Sequence, residues 1–294
     1  MGGGSPSAGA SSPRATARTA PNLNGPRCLT LAPGNAEACP PGSPTIIAVS
    51  VDGSLATTPS GTVYRNGSVL STGLTPAAPI VGVVASPISL GHYWLVGRDG
   101  GVFALGGAPF YGSMGGKPLN APIVGIVTTP NGDGYWLVAS DGGVFAFGGA
   151  AFLGSLGRLP LNAPIVGMAL GGNAVGYYLV AADGGVFAFG NASFYGSMGG
   201  QPLHGAVVSI ASTGDVFSTS GTVVGSGYFL AGSDGGIFAF GNAQFSGSFV
   251  GVSAAPVIGL FTIDGDCDPF GPTDPVPNVV TSDGSVYGQM QTVC

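Results

Sequence analysis

Carboxylates in one recurring context are the first chemistry that this chain offers. Asp99, Asp141, Asp183 and Asp234 each open a close copy of Asp141-Gly142-Gly143-Val144-Phe145-Ala146-Phe147-Gly148, and Asp283-Gly284-Ser285-Val286-Tyr287 is a weaker echo. Acids repeated in this way and gathered at one end of a ring could hold a cation or a hydroxyl-rich ligand. Asp followed by Gly is also what a tight hairpin demands, because Gly accepts positive φ and Asp bonds local amides. The turn is the favoured reading, and it moves attention to positions where the repeats differ. There Asn120, Asn162 and His204 align with one another, and Lys117 aligns with Gln201. Amides and an imidazole beside the acidic turns suit a polyhydroxylated ligand.

Two further clusters carry metal or redox chemistry. Asp264, Asp266 and Asp268 alternate along the chain, the spacing by which a loop wraps oxygen ligands around calcium. As an EF-hand loop the segment departs from pattern, with Pro269 where the sixth-position Gly belongs and Pro275 where the twelfth-position Glu belongs. Calcium is thus the one cofactor that the sequence raises. The 4 cysteines, Cys28, Cys39, Cys267 and Cys294, lie outside the regular repeats. An even count favours disulfides and an oxidising compartment. Cys28–Cys39 with Cys267–Cys294 is the expected pairing, and Cys28–Cys294 is the alternative that would staple the chain ends. No Cys-x-x-Cys pair supports zinc. A Gly-x-Ser-x-Gly elbow, a phosphate loop and a His-Glu-x-x-His helix are all missing from the sequence.

The elements that must position these groups follow from alignment of the repeats. Pro79-Ile80-Val81-Gly82 returns at Pro122, Pro164 and Pro256, and more loosely at Ala206. Tyr93-Trp94-Leu95-Val96 returns at Tyr135, Tyr177 and Tyr228. A fourth segment, Phe110-Tyr111-Gly112-Ser113, returns at Phe152, Phe194 and Phe245. Each unit of about 42 residues therefore holds four apolar runs of strand length separated by turn residues, the pattern of a propeller blade. The runs are apolar at successive positions, as expected where both sheet faces are covered.

The fold expected is all-β, a β-propeller of six four-stranded blades spanning about 43–78, 79–121, 122–163, 164–205, 206–254 and 255–294. The last blade ends after its third strand, and a strand near Cys28 would close the ring. Residues 1–26, mostly Ser, Ala, Pro, Gly, Thr and Arg with almost no large apolar side chain, read as a flexible linker ahead of a propeller domain at 27–294.

Composition narrows the functions. Only 7% of residues are charged, the net charge is -6, and Lys117 is the single lysine. A nucleic-acid binder needs a basic stripe, and none is present. Apolar runs are broken by Gly and Pro before they reach the length of a membrane helix. The N-terminus lacks the basic and apolar regions of a secretory leader, which is expected to have been removed if the protein is exported.

The run Gly134-Tyr135-Trp136-Leu137-Val138-Ala139-Ser140-Asp141-Gly142-Gly143-Val144-Phe145-Ala146-Phe147-Gly148 resembles a repeat of secreted actinobacterial proteins, where such arrays accompany hydrolase or cell-wall domains. The resemblance covers about 79–250. It implies an extracellular, propeller-like accessory module with no catalytic residue to carry over. The function expected is multivalent, non-catalytic binding of extracellular or cell-surface material, glycan above all. A self-assembling surface protein and a propeller hydrolase or lyase are the alternatives.

Overall fold

The computed structural model describes residues 27–28, 39, 42–50, 52–65, 68–70, 74–171, 175–217, 223–263 and 275–288. Among these residues, twenty strands arise where β-branched and aromatic runs lie between Gly, Pro, Asn and Asp. They are β1 (Arg27–Cys28), β2 (Ala48–Val49), β3 (Leu55–Thr57), β4 (Val63–Arg65), β5 (Ser68–Leu70), β6 (Ile80–Ala85) and β7 (Tyr93–Gly97). Next come β8 (Val102–Leu105), β9 (Ile123–Thr128), β10 (Gly134–Ala139), β11 (Val144–Gly148), β12 (Ile165–Leu170), β13 (Gly176–Ala181) and β14 (Val186–Gly190). The last are β15 (Val207–Phe217), β16 (Val223–Gly232), β17 (Ile237–Gly241), β18 (Val257–Ile263), β19 (Val276–Thr281) and β20 (Ser285–Tyr287).

These strands form six antiparallel sheets: β2-β3-β4-β5, β6-β7-β8, β9-β10-β11, β12-β13-β14, β15-β16-β17 and β18-β19-β20-β1. No described residue is helical. The middle strands β7, β10 and β13 are buried along their whole length, because each sheet is packed on both faces by its neighbours. The innermost strands of all six sheets line one common space of about 170 Å³, where Val49, Gly82, Gly125, Gly167, Ser209 and Gly259 meet. Architecture of this kind is a β-propeller.

Main-chain hydrogen bonds join the sheets in sequence. Ile80 N–H donates to Pro59 O, Ile123 to Arg98, Ile165 to Ser140, Val207 to Ala182, Val257 to Ser233 and Ile46 to Ser282, all at 2.9–3.0 Å. Five of these bonds link one sheet to the next, and the sixth links the last sheet to the first. At the same junction β1 pairs with β20 in the register Arg27↔Val286 and Cys28↔Ser285. The N-terminal strand thus adds to the C-terminal sheet, as the sequence predicts.

One expectation is corrected. The four regular sheets have three strands, not four. The segment after the third strand does return along its sheet, and Met114 N–H donates to Gly100 O at 2.9 Å. Side chains, however, replace the strand ladder along it. Trp94 Nε1–H bonds Pro109 O at 2.8 Å, while Tyr135 from the next sheet donates its hydroxyl to Gly112 O at 2.6 Å and accepts from Tyr111 N–H at 3.2 Å. Gly112 has φ +131, a region that L side chains avoid, and a Cβ there would meet Phe147 at 2.6 Å. Glycine at this point lets two adjoining sheets interlock. Gly154 against Phe189 and Gly196 against Phe240 repeat the arrangement.

Candidate binding site at the turn end

Each regular acidic turn is built by its own backbone. Ala139 N–H donates to Gly143 O at 2.8 Å and Gly142 N–H to Ala139 O at 2.9 Å, with Gly142 at φ +78. This is a three-residue hairpin whose glycine takes the left-handed position. Asp141 Oδ1 accepts the Gly143 N–H at 2.9 Å. Asp99, Asp183 and Asp234 accept from Gly101, Gly185 and Gly236 at 3.0, 2.9 and 3.0 Å. One oxygen of every carboxylate is therefore committed to its turn.

Asp283 is held more firmly. Its Oδ1 accepts from Thr281 Oγ1 at 2.6 Å and from Ser285 N–H at 3.0 Å. Burial works against its ionisation, but these hydrogen bonds outweigh burial and hold its carboxyl below the ordinary value. In the first sheet the corresponding turn carries Ser60 instead of an acid, its hydroxyl 2.9 Å from Thr58 Oγ1.

Beside these turns lie shallow grooves that recur from unit to unit. A groove of about 280 Å³ gathers Asn162 from the preceding loop, Asp183 and Gly185 from the turn, and Ser197, Gly199 and Gly200 from the end of the fourth segment. One unit later, a groove of about 350 Å³ gathers His204 and Gly205, Ser233 and Asp234, then Phe249 and Val252 to Pro256. Two pieces recur, the loop that enters the sheet and the acidic turn that follows it; the third differs, being the end of the fourth segment in the first groove and the loop into the sixth sheet, with Thr281, in the second. Asn162 is thus brought beside Asp183, and His204 beside Asp234, while Asn120 and Asp141 occupy the aligned places in the unit before. Asn120, Asn162, Gln201 and His204 are all exposed. Lys117 is also exposed, and its Nζ donates to Ser113 O at 3.0 Å.

Sequence reasoning missed Arg158. It is the one non-glycine residue with positive φ among the described residues, at φ 78, where Gly116, Gly200 and Gly251 have φ 74, 80 and 77. The repeat alignment holds the signal: an arginine replaces a glycine that its neighbours keep. By that alignment, Arg158 holds in its unit the place that Gly200 holds beside Asn162 and Asp183 in the next.

A second omission concerns the opposite end of the sheets. Phe110, Phe152, Phe194 and Phe245 are 59%, 61%, 59% and 62% exposed, although the sequence reading treats them as strand residues. The other aromatics of the repeat are core, as the sequence suggests. Trp94, Tyr135, Trp136, Tyr177, Tyr178 and Tyr228 are buried between sheets, with ring centroids 4.8–6.0 Å apart in the Trp94–Tyr135, Trp136–Tyr177 and Tyr178–Tyr228 pairs. Burial raises the pKa of Tyr135, Tyr177 and Tyr228, against hydrogen bonds from the fourth segments that lower it.

Cys28 and Cys39 form a disulfide with Cα atoms 4.7 Å apart, which rules out the Cys28–Cys294 alternative. Cys267, Cys294 and the proposed calcium ligands Asp264, Asp266 and Asp268 lie outside the described residues, as does the linker at 1–26. Among the described residues no group of three or more His, Cys, Asp or Glu is placed to hold a metal ion. No described helix is long and apolar enough to cross a membrane.

No family model matches the chain, and no curated protein matches it. Among solved structures it is similar to crystal structures of BBS1N in complex with ARL6DN, one soaked with mercury and one with lead. Both give a TM-score of 0.47 at 17% identity over 81% of this chain, covering 74% and 76% of the other chain. The propeller assignment rests on the six sheets and the hydrogen bonds that join them, and not on this likeness.

Proposed function

We propose that the chain is a closed six-bladed propeller that works outside the cell as a non-catalytic binding module for glycan, held at the turn end. The observation that carries this reading is a pair of grooves in successive units, each joining an interblade loop to the acidic turn that follows it. Each offers an exposed amide or imidazole, a carboxylate with one oxygen spare, and serine hydroxyls on a shallow floor of glycine and small apolar residues. Such a mixture of convergent polar groups and apolar wall fits a sugar unit. Repetition around the ring gives weak sites the avidity of a multivalent binder.

Support for a non-catalytic role comes from the carboxylates themselves. They stand one per turn, each bonded to its own hairpin, whereas hydrolysis by paired acids needs two carboxyls within about 5–10 Å across one substrate. The Cys28–Cys39 disulfide supports an oxidising location. The test is a glycan array probed with the wild-type chain and with the triple variant Asn120→Ala, Asn162→Ala, His204→Ala. Binding that falls at least tenfold in the triple variant supports the reading. Unchanged binding, or no glycan bound by the wild type, overturns it.

A further inference from the structure

The two ends of the propeller differ in chemistry, and the end away from the acidic turns has an apolar arc that the glycan reading does not use. Four phenylalanines mark it. Phe110, Phe152, Phe194 and Phe245 each follow the turn after the third strand of their sheet, at the end where the first and second strands are joined. Their exposures, 59–62%, are nearly equal. A single exposed phenylalanine needs no explanation. Four at one position of four successive units, in a chain whose other described phenylalanine, tyrosine and tryptophan rings are all buried or half-buried, form a pattern.

The backbone beneath three of these rings is fixed. Pro109 O accepts from Trp94 Nε1–H at 2.8 Å, Ala151 O from Trp136 Nε1–H at 2.7 Å and Ser193 O from the Tyr178 hydroxyl at 2.9 Å. The residue before each ring is thereby anchored to the core, and the ring itself is left outside. Loops at the same end add Ile88 and Leu90, which are 68% and 105% exposed, and Val175. The charged side chains described at this end are few and of both signs: Asp133 on the arc, and Asp52 and Arg65 at the turns of the first sheet beside it. By contrast, Arg98, Asp99, Lys117, Asp141, Arg158, Asp183, Asp234 and Asp283 all belong to the turn end.

We propose that this apolar arc is the surface through which two copies of the chain associate, end to end about a two-fold axis. Three observations select a second copy. The exposed rings are phenylalanines with no polar atom, while every described tyrosine and tryptophan is buried or half-buried, so the surface fits an apolar protein face better than a hydroxyl-rich ligand. At 150–250 Å² per aromatic ring, the exposed parts of the four phenylalanines with Ile88, Leu90 and Val175 come to roughly 800 Å², what each partner of a standard interface contributes. Charge agrees as well, because contact through this end points the two acidic turn ends away from each other. The hairpin of β15 and β16, at 11 and 10 residues, is longer than the corresponding strands of 6 residues in β12 and β13. It stands at one end of the arc and limits how the second copy can be seated. A two-fold contact is self-complementary and closes at two copies.

The test is sedimentation velocity of the full chain across a concentration series from about 1 to 200 μM, a range that brackets micromolar affinity. The wild type is expected to pass from monomer to dimer. The quadruple variant Phe110→Ser, Phe152→Ser, Phe194→Ser, Phe245→Ser is expected to stay monomeric throughout, with its far-UV circular dichroism unchanged. Should that variant fold poorly, the double variant Ile88→Ser, Leu90→Ser is expected to weaken dimerisation at least tenfold. The variant Asn162→Ala, at the other end, should dimerise as the wild type does. A wild type that stays monomeric at 200 μM (about two hundred times a 1 μM Kd), one that grows without limit beyond two copies, or variants that dimerise unchanged would each overturn the proposal. Glycan binding is read at the opposite end and is unaffected by either outcome.

Discussion

The interfaces between the regular sheets and the junction where the chain ends meet solve the same problem by different means. Between the second and fifth sheets, every interface has a tyrosine hydroxyl tying down the fourth segment of its neighbour, and a glycine into which the neighbour's phenylalanine fits. At the fifth and sixth sheets this kit runs out. Pro277 aligns with the tyrosines, and a Cβ added at Gly247 would meet nothing within 4 Å. The junction keeps the main-chain bond common to every interface, Ile46 to Ser282, and adds the borrowed strand β1 and the Cys28–Cys39 disulfide. Identical interfaces can be written once and copied, whereas the place where the copies stop needs parts of its own.

The largest expected effect tests that contrast directly. Gly154→Ala puts a Cβ 2.6 Å from Phe189 at φ +131, so strain and overpacking act together. It should cost about 4 kcal/mol in urea unfolding. Gly247→Ala, at φ +128 in open space, carries the backbone strain alone and should cost about 2 kcal/mol. Equal losses would show that the interlock contributes nothing. Next in size is the double variant Cys28→Ser, Cys39→Ser, which frees a short loop at the junction. It should lose about 2–3 kcal/mol, with hydrogen exchange increasing first in β20 and β1 and not in β10 or β13.

A gain is expected at Arg158. Replacement by Gly, the residue of the aligned units, relieves a left-handed backbone at φ 78 and should stabilise the protein by about 1 kcal/mol. A lower melting temperature would mean that the arginine side chain contributes more than its backbone costs. The smallest effect concerns pH. Because the folded state holds the Asp283 carboxyl below its ordinary value, its contribution is complete above the unfolded pKa of about 3.9 and is lost as pH falls through the folded value. Asp283→Asn should therefore lose less stability than the wild type between about pH 6 and pH 3. Parallel curves for the two proteins would remove Asp283 from the account.

Much of the fold was legible because it repeats. Val144-Phe145-Ala146-Phe147 between glycines reads as a strand in any context, and its recurrence marks the four regular sheets, while the first and last rest on the weaker turn signals Asp52-Gly53, Ser60-Gly61 and Asp283-Gly284. The local conformation of the fourth segment was not legible in the same way. Phe152-Leu153-Gly154-Ser155 has strand composition, yet its backbone partners are side chains of Trp136 and Tyr177, which lie 15 residues before and 23 residues after their acceptors. Local propensity does not register such partners. The same misreading hid the exposed phenylalanines, since a ring in a supposed strand is expected to be half-buried. At the turn end, Asp-Gly showed its structural use directly. Alignment put Asn162 and His204 in equivalent places beside the acidic turns, and the fold adds that Asn162 shares a groove with Asp183 and His204 one with Asp234.

The six bonds that carry one sheet to the next use main-chain atoms alone. The residues supplying the acceptor are Pro59, Arg98, Ser140, Ala182, Ser233 and Ser282, a pyrrolidine ring, a cation, hydroxyls and a bare methyl. A joint indifferent to the side chain it carries leaves that side chain free to vary beside the grooves without loosening the ring. Inheritance can therefore rewrite what the rim presents, one unit at a time, while the frame beneath it stays constant.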